Sequence, residues 1–86
     1  MKYIYVEVEE RNGEREYRHR AVKQIPVSIT DITAWADENY AGGMYGGDAP
    51  ENFDGRWEYD GGEVSCELYK AEEITKEQYD VLFRFL

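Results

Sequence analysis

The strongest constraint on the fold is an alternation of apolar and polar residues around an Asn-Gly pair near the N-terminus. Apolar side chains occupy every second position from Ile4 to Val8, which places them on one side of a β-strand. Asn12 and Gly13 favour a two-residue type I′ turn, and such a turn fixes the register of the hairpin that it closes. With both residues in the turn, the facing pairs are Val8 with Tyr17, Val6 with His19, Ile4 with Ala21, Glu7 with Arg18, Tyr5 with Arg20 and Tyr3 with Val22.

A helix is predicted to follow this hairpin. Pro26 ends the second strand, because proline lacks the N–H group that a sheet requires. Ser28 or Thr30 is the expected N-cap, and Gly42-Gly43 ends the helix. Between them, apolar residues recur at helical spacing and should form the buried stripe: Ile29, Ile32, Trp35, Ala36 and Tyr40.

The remainder of the chain predicts a second hairpin and a closing helix. The hairpin turns at Gly61-Gly62, so that Trp57 faces Cys66 across it. Thr75 begins the helix as the first residue of a capping box, and its expected buried stripe is Tyr79, Leu82, Phe83 and Leu86. We therefore predict an α+β fold, a two-layer ββαββα domain in which a four-stranded antiparallel sheet of two hairpins carries both helices on one face.

Length and charge limit the possible functions. The 86 residues provide room for one core, so residues 1–86 are expected to form a single domain. Nineteen acidic and ten basic side chains give a net charge of −9, which disfavours direct binding to nucleic acid. The sequence shows no membrane-spanning stretch and no signal peptide, and the single Cys66 fits a reducing compartment. We expect a cytoplasmic protein.

No residue pattern predicts catalysis. His19 is the only histidine, and its place on the apolar face of the hairpin favours a structural, hydrogen-bonded side chain. Cys66 is expected to be a buried thiol. The glycine-rich segment 42–55 lacks the Gly-Lys-Ser/Thr ending of a phosphate-binding loop, and its acidic residues do not match the spacing of a calcium-binding EF-hand. We expect no catalytic residue, metal or cofactor, and a small enzyme or metal-binding domain is the least favoured function.

Aromatic and basic residues on the second face of the first hairpin suggest one kind of protein interface. Exposed aromatic rings beside arginines are typical of such surfaces. If both helices cover the other face, the binding residues here are Tyr3, Tyr5, Arg18 and Arg20. This hypothesis describes a protein-interaction module or a self-associating subunit, that is, a homo-oligomer.

Acidic residues suggest a second kind of interface, which the sequence favours over the first. Carboxylates two residues apart on a strand project about 6.6–7 Å apart, close to the spacing of successive phosphates on a nucleic-acid strand. The hypothesis is a small non-catalytic protein that binds a basic protein partner, in its sharpest form a nucleic-acid mimic like the inhibitors of host defence that phages encode. The residues assigned to this surface are Asp48, Glu51, Asp54, Glu58 and Asp60.

Overall fold

A computed structural model describes residues 1–43, 56–59 and 63–86. The strands are β1 (Lys2–Asn12), β2 (Arg15–Ile25), β3 (Trp57–Tyr59) and β4 (Val64–Ile74), and the helices are α1 (Ile32–Ala36), continued by a π-helical segment (Asp37–Ala41), and α2 (Lys76–Phe85). The strands form one antiparallel sheet in the order β2-β1-β4-β3. The predicted ββαββα order and four-stranded antiparallel sheet are confirmed. Neither helix in the described ranges has the length and apolar character needed to cross a membrane.

The first hairpin pairs in a register two residues away from the predicted one. Asn12 faces Arg15, so the two-residue loop consists of Gly13 and Glu14, not Asn12 and Gly13. Gly13 has a φ angle of +63°, in the left-handed region that glycine enters without steric cost. The prediction of an Asn12-Gly13 turn is therefore wrong, although glycine does supply the special backbone conformation.

Charge pairing gives a physical reason for the observed register. The predicted register would place Glu9 opposite Glu16, and like charges directly opposite one another destabilise a sheet. In the structure Glu9 faces Arg18 and Glu16 faces Arg11, with ion pairs of 3.8 Å and 3.5 Å. A shift of two residues keeps every side chain on its predicted face and changes only the facing pairs, which become Val8 with His19, Val6 with Ala21, Ile4 with Lys23, Glu7 with Arg20, Tyr5 with Val22 and Tyr3 with Gln24.

The helix α1 covers the apolar face of the sheet. Ile4, Val6 and Ile25 are fully buried together with Ala36 of the helix. The predicted stripe of Ile29, Ile32, Trp35, Ala36 and Tyr40 is confirmed, because its other members pack against this cluster. The N-cap is Asp31, not Ser28 or Thr30; its carboxylate accepts a hydrogen bond from the Ala34 N–H at 3.0 Å. We call this side of the sheet the α1 face.

The helix α2 lies against the opposite side of the sheet, which we call the outer face. Tyr79 packs its ring against that of Tyr3, with 5.0 Å between the ring centroids. Tyr3 alternates with the buried Ile4 along β1 and therefore points away from the α1 face. The prediction that both helices pack on one face is wrong. The predicted capping box of α2 is confirmed, since Thr75 and Gln78 exchange both of its hydrogen bonds.

The second hairpin forms as predicted where it is described. Trp57 faces Cys66, and Tyr59 faces Val64, while the predicted Gly61-Gly62 turn lies outside the described residues. A close approach fixes this hairpin against the end of the π-helical segment. A Cβ atom added at Gly42 would lie 3.0 Å from the Trp57 ring and 2.7 Å from a backbone oxygen, so a larger residue there would force the ring or the backbone to move.

Candidate functional site

The tyrosines assigned to an aromatic interface are engaged within the fold. Tyr3 is half-buried beneath the Tyr79 ring of α2. The hydroxyl of Tyr5 donates a hydrogen bond to the Glu7 carboxylate. Desolvation and this carboxylate raise the pKa of Tyr5, and the same hydrogen bond is the main cause that lowers the pKa of Glu7. Both tyrosines lie on the outer face, as predicted, but they do not form a free aromatic platform.

The arginines of the same hypothesis are held in ion pairs. Arg18 lies 3.1 Å from Glu7 and stacks over the ring of Tyr69, 3.9 Å from its centroid. Arg20 lies 3.7 Å from Glu7. The Glu7 hydrogen bond is the leading cause that raises the pKa of the Arg18 guanidinium. The structure thus brings Tyr5, Arg18 and Arg20 together around the Glu7 carboxylate. The sequence predicted only that Glu7 faces Arg18.

Among the described residues, charge on the outer face is nearly balanced. Alternation along the strands and the contacts of Arg56 place six carboxylates and five cations there. Arg56 lies 2.5 Å from Glu67 and 3.9 Å from Glu9, linking β3, β4 and β1. The described residues of this face therefore hold little of the acidic excess of the chain. The carboxylates on this face are Glu7, Glu9, Glu16, Glu58, Glu67 and Glu72, and the cations are Arg11, Arg18, Arg20, Arg56 and Lys70.

Most of the acidic surface predicted from sequence falls outside the described residues. Asp48, Glu51, Asp54 and Asp60 belong to the ranges 44–55 and 60–62. Glu58 is the described member of the set; it is half-buried on β3 and faces Ser65. The proximity of these five carboxylates stays a prediction.

A buried carboxylate on the α1 face escaped the sequence analysis. Glu10 is only 3% exposed, and its carboxylate lies 2.8 Å from Nε2 of His19. His19 is thus half-buried and hydrogen-bonded, as predicted, although beside Val8 and not Val6. The alternation from Ile4 onward places Glu10 on the buried side of β1, so the sequence pattern could have predicted its burial.

Cys66 faces Glu10 across β1 and β4. The thiol is fully buried, as predicted, and burial with the nearby Glu10 charge raises its pKa to about 11. A nucleophilic thiolate is disfavoured under these conditions. Within residues 1–43, 56–59 and 63–86, no group of three or more histidine, cysteine or acidic side chains could hold a metal ion.

The largest feature that sequence reasoning missed is an exposed apolar surface on α2. Phe85 is 80% exposed, Phe83 64%, Val81 55% and Leu86 53%. Phe83 and Leu86 were expected to belong to a buried stripe, and this expectation is wrong because Tyr79 and Leu82 alone in α2 are half-buried. The sequence did contain a signal for this surface. Positions 79, 81, 82, 83, 85 and 86 are all apolar or aromatic, and a helix that packs one face on a sheet cannot bury all six.

A groove adjoins this surface. It has a volume of about 490 Å³ and runs between α2 and the outer face. Its apolar walls come from both sides, and two carboxylates lie among them. The groove is lined by Tyr5, Glu72, Ile74, Glu77, Gln78, Val81 and Leu82. We call the exposed residues Val81, Phe83, Phe85 and Leu86, together with this groove, the α2 surface.

The chain was compared with known proteins. No protein-family model, no curated protein and no solved structure matched it.

Proposed function

We propose that this chain is a protein-binding domain and that the α2 surface is its binding site. The observation that supports the proposal is the exposure of Val81 and Phe85, which lie four residues apart on one face of α2, with Val81 lining the groove. Single exposed apolar residues are ordinary on a soluble protein, but contiguous apolar patches usually mark interaction sites. Large aromatic side chains are also the residues that most often supply binding energy at the centre of interfaces.

The groove beside α2 adds a recess to this patch. Val81 and Leu82 form one wall and Ile74 forms another, so an apolar side chain of a partner could be enclosed there. Glu72 and Glu77 line the same groove and could accept hydrogen bonds or ion pairs at its rim. An apolar centre with a polar rim is the usual composition of a specific protein interface.

Site-specific photo-crosslinking tests the proposed function. A photoreactive phenylalanine analogue at Phe85 is expected to yield discrete adducts with a partner in lysate of the source cells, identified by mass spectrometry. The matched control places the analogue at Tyr17, which is exposed on β2 and does not line the α2 surface. Adducts from position 85 that are absent from position 17 support the proposal. The same adducts from both positions, or none from position 85, would refute it.

Charge distribution favours a second candidate, an acidic protein that competes with nucleic acid for a basic partner. The outer face pairs its carboxylates with five cations, whereas ranges 44–55 and 60–62 hold four acidic residues and no basic one. An electrostatic interface of this kind gains speed and specificity from complementary charge and weakens as salt rises.

Neutralising the acidic residues tests this candidate. In Asp48→Asn/Glu51→Gln/Asp54→Asn, capture of basic partners from nuclease-treated lysate should fall at least tenfold, and duplex DNA should elute the partners from the unmodified chain. The control Glu14→Gln/Glu38→Gln/Glu73→Gln removes the same charge at exposed positions elsewhere, none of which lines the α2 groove. Equal loss in both variants, or partners that DNA does not displace, would count against the candidate.

A further inference from the structure

The helix α2 carries two kinds of charged side chain. Lys76 and Asp80, four residues apart, form an ion pair of 3.0 Å within the helix. Glu77 and Arg84 are exposed, and neither makes an ion pair with another residue in the described part of the chain. The helix therefore satisfies one of its charge pairs internally and leaves the other available.

Glu77 and Arg84 lie on the same side of the helix as the apolar Val81. Val81 follows Glu77 by four residues and precedes Arg84 by three, which are the spacings that align side chains along one helix face. Along this face the order is therefore a negative charge, an exposed valine and a positive charge. An antiparallel copy of the same face presents the order in reverse, so each end meets the opposite charge.

We propose that the α2 surface binds a second copy of this chain in a two-fold antiparallel helix pair. Glu77 of each copy lies opposite Arg84 of the other, and the two Val81 side chains meet near the two-fold axis. Such an isologous contact is the commonest way in which soluble proteins form dimers. This inference rests on the proposed function and names the partner that occupies the surface.

Apolar side chains on this helix face contribute contact area to the dimer. Phe85, which follows Val81 by four residues and shares its face, exposes roughly 150 Å² of side chain per copy, and a two-fold contact counts this area twice. Val81 and the groove walls of both copies add to the contact, and a specific interface requires roughly 1,000 Å² in total. Phe85 follows Val81 by one helical turn, so it reaches toward the groove of the second copy.

Net charge does not oppose this contact locally. The chain carries −9, but α2 itself holds two acidic and two basic residues: Glu77, Asp80, Lys76 and Arg84. Repulsion between the distant acidic residues of the two copies is screened at physiological salt, where the Debye length is about 8 Å.

Charge reversal with sedimentation equilibrium tests the arrangement. In the Glu77→Arg dimer, two cations face each other at both contacts between positions 77 and 84. In the Arg84→Glu dimer, two carboxylates face each other at the same contacts. Each variant is expected to raise the dimer dissociation constant about tenfold or more. The double variant Glu77→Arg/Arg84→Glu restores both pairs and should return the constant to within threefold of the original. Glu14→Arg, at the exposed hairpin loop, is the control and should not weaken the dimer.

Mixing the two single variants gives the sharpest readout. Glu77→Arg and Arg84→Glu chains present complementary charges only to each other, so the mixture should form heterodimers while each alone is mostly monomeric. A monomer at every accessible concentration would overturn the inference, but the proposed function would survive if position 85 still crosslinks to another protein. A dimer unaffected by all these changes would also overturn it and would indicate another interface, such as the exposed edge of β2.

Discussion

Among the described residues, Glu10 is a charged side chain that is almost fully buried, so its hydrogen-bond partners matter for stability. Its carboxylate is buried on the α1 face, 2.8 Å from His19. Removing a hydrogen-bond partner from a buried carboxylate destabilises the fold by more than the net free energy of the hydrogen bond. The carboxylate stays buried, so water does not replace the lost partner. The His19 side chain is thus expected to stabilise the fold in part through its hydrogen bond with Glu10.

Replacing His19 tests this role. His19→Ala removes one hydrogen-bond partner of Glu10 and is expected to lower the free energy of unfolding by about 1–3 kcal/mol. His19→Gln keeps a hydrogen-bond donor near the carboxylate and should cost less than half as much. Urea denaturation of both variants measures the difference. If the two variants are equally stable, the hydrogen bond to Glu10 is not what His19 contributes.

Cys66 should be chemically inert in the folded protein. Burial and the Glu10 charge raise the pKa of its thiol to about 11, so little thiolate exists at neutral pH. We expect alkylation by iodoacetamide at pH 8 to be at least a hundredfold slower in the native protein than in denaturant. The control, Cys66→Ala/Ser28→Cys, carries an exposed thiol and should react at similar rates in both conditions. Comparable rates for Cys66 would contradict its burial.

The same pKa shift predicts a dependence of stability on pH. The folded thiol has the higher pKa, so its contribution is complete below the ordinary value of 9.0 and is lost as pH rises from there toward about 11. In that range the unfolded chain releases its proton first, and the free energy of unfolding falls by about 1.4 kcal/mol per pKa unit of difference. Cys66→Ala should lack this part of the slope when unfolding is followed at pH 8, 9.5 and 11.

The hairpin of β1 and β2 shows how two-residue periodicity limits what an element reveals from sequence. Alternation correctly assigned the buried face of Ile4, Val6 and Val8, because burial depends on parity alone. The register was predicted from turn preference, and a shift of two residues leaves parity unchanged. The interstrand ion pairs of Glu9 and Glu16 favour the observed register over the predicted one.

Substitutions in the loop distinguish the two registers. Asn12 is a strand residue in the structure, so Asn12→Thr should change the free energy of unfolding by less than about 0.5 kcal/mol. Gly13→Ala meets no atom within 4 Å but must adopt a φ of +63°, which costs about 1–2 kcal/mol. Thermal and urea unfolding of both variants provide the measurement. A larger loss for Asn12→Thr than for Gly13→Ala would favour the Asn12-Gly13 turn.

The helix α2 shows a different limit. Its start at Thr75 was predictable because a capping box is a local pattern of four residues. The side of the sheet on which it packs depends on the path of the chain after β4, and periodicity within the helix carries no such information. Since Tyr79 and Leu82 are the only half-buried residues of α2, its remaining apolar side chains are exposed. The α2 surface could therefore not be located from sequence periodicity.

Across the whole molecule, charge and apolar surface are segregated. The outer face joins paired charges from all four strands, and α2 covers one end of it with aromatic rings. The edge strand β2 carries Arg15, Arg18, Arg20 and Lys23, and charged side chains of this kind hinder edge-to-edge pairing of sheets. A second copy is thus discouraged at the β2 edge, whereas α2 offers it apolar area.

Local stability should differ between the sheet and α2, and dimerisation should reduce that difference. The helix has no fully buried residue, while β1 is the strand between β2 and β4 and holds Ile4, Val6 and Val8 in the core. Elements with little buried apolar area open with lower free energy than the core. At low protein concentration, amides of α2 are therefore expected to exchange hydrogen at least tenfold faster than those of β1.

Raising the protein concentration should slow exchange in α2, because formation of the helix pair stabilises the closed form by mass action. The Glu77→Arg variant provides the control, since its weakened self-association should leave α2 exchange independent of concentration over the same range. Hydrogen exchange followed by mass spectrometry resolves the helix as a single peptide. Slow α2 exchange in a dilute monomer would mean that the sheet alone holds the helix, and the exposed phenylalanines would then have no stability to gain from a second copy.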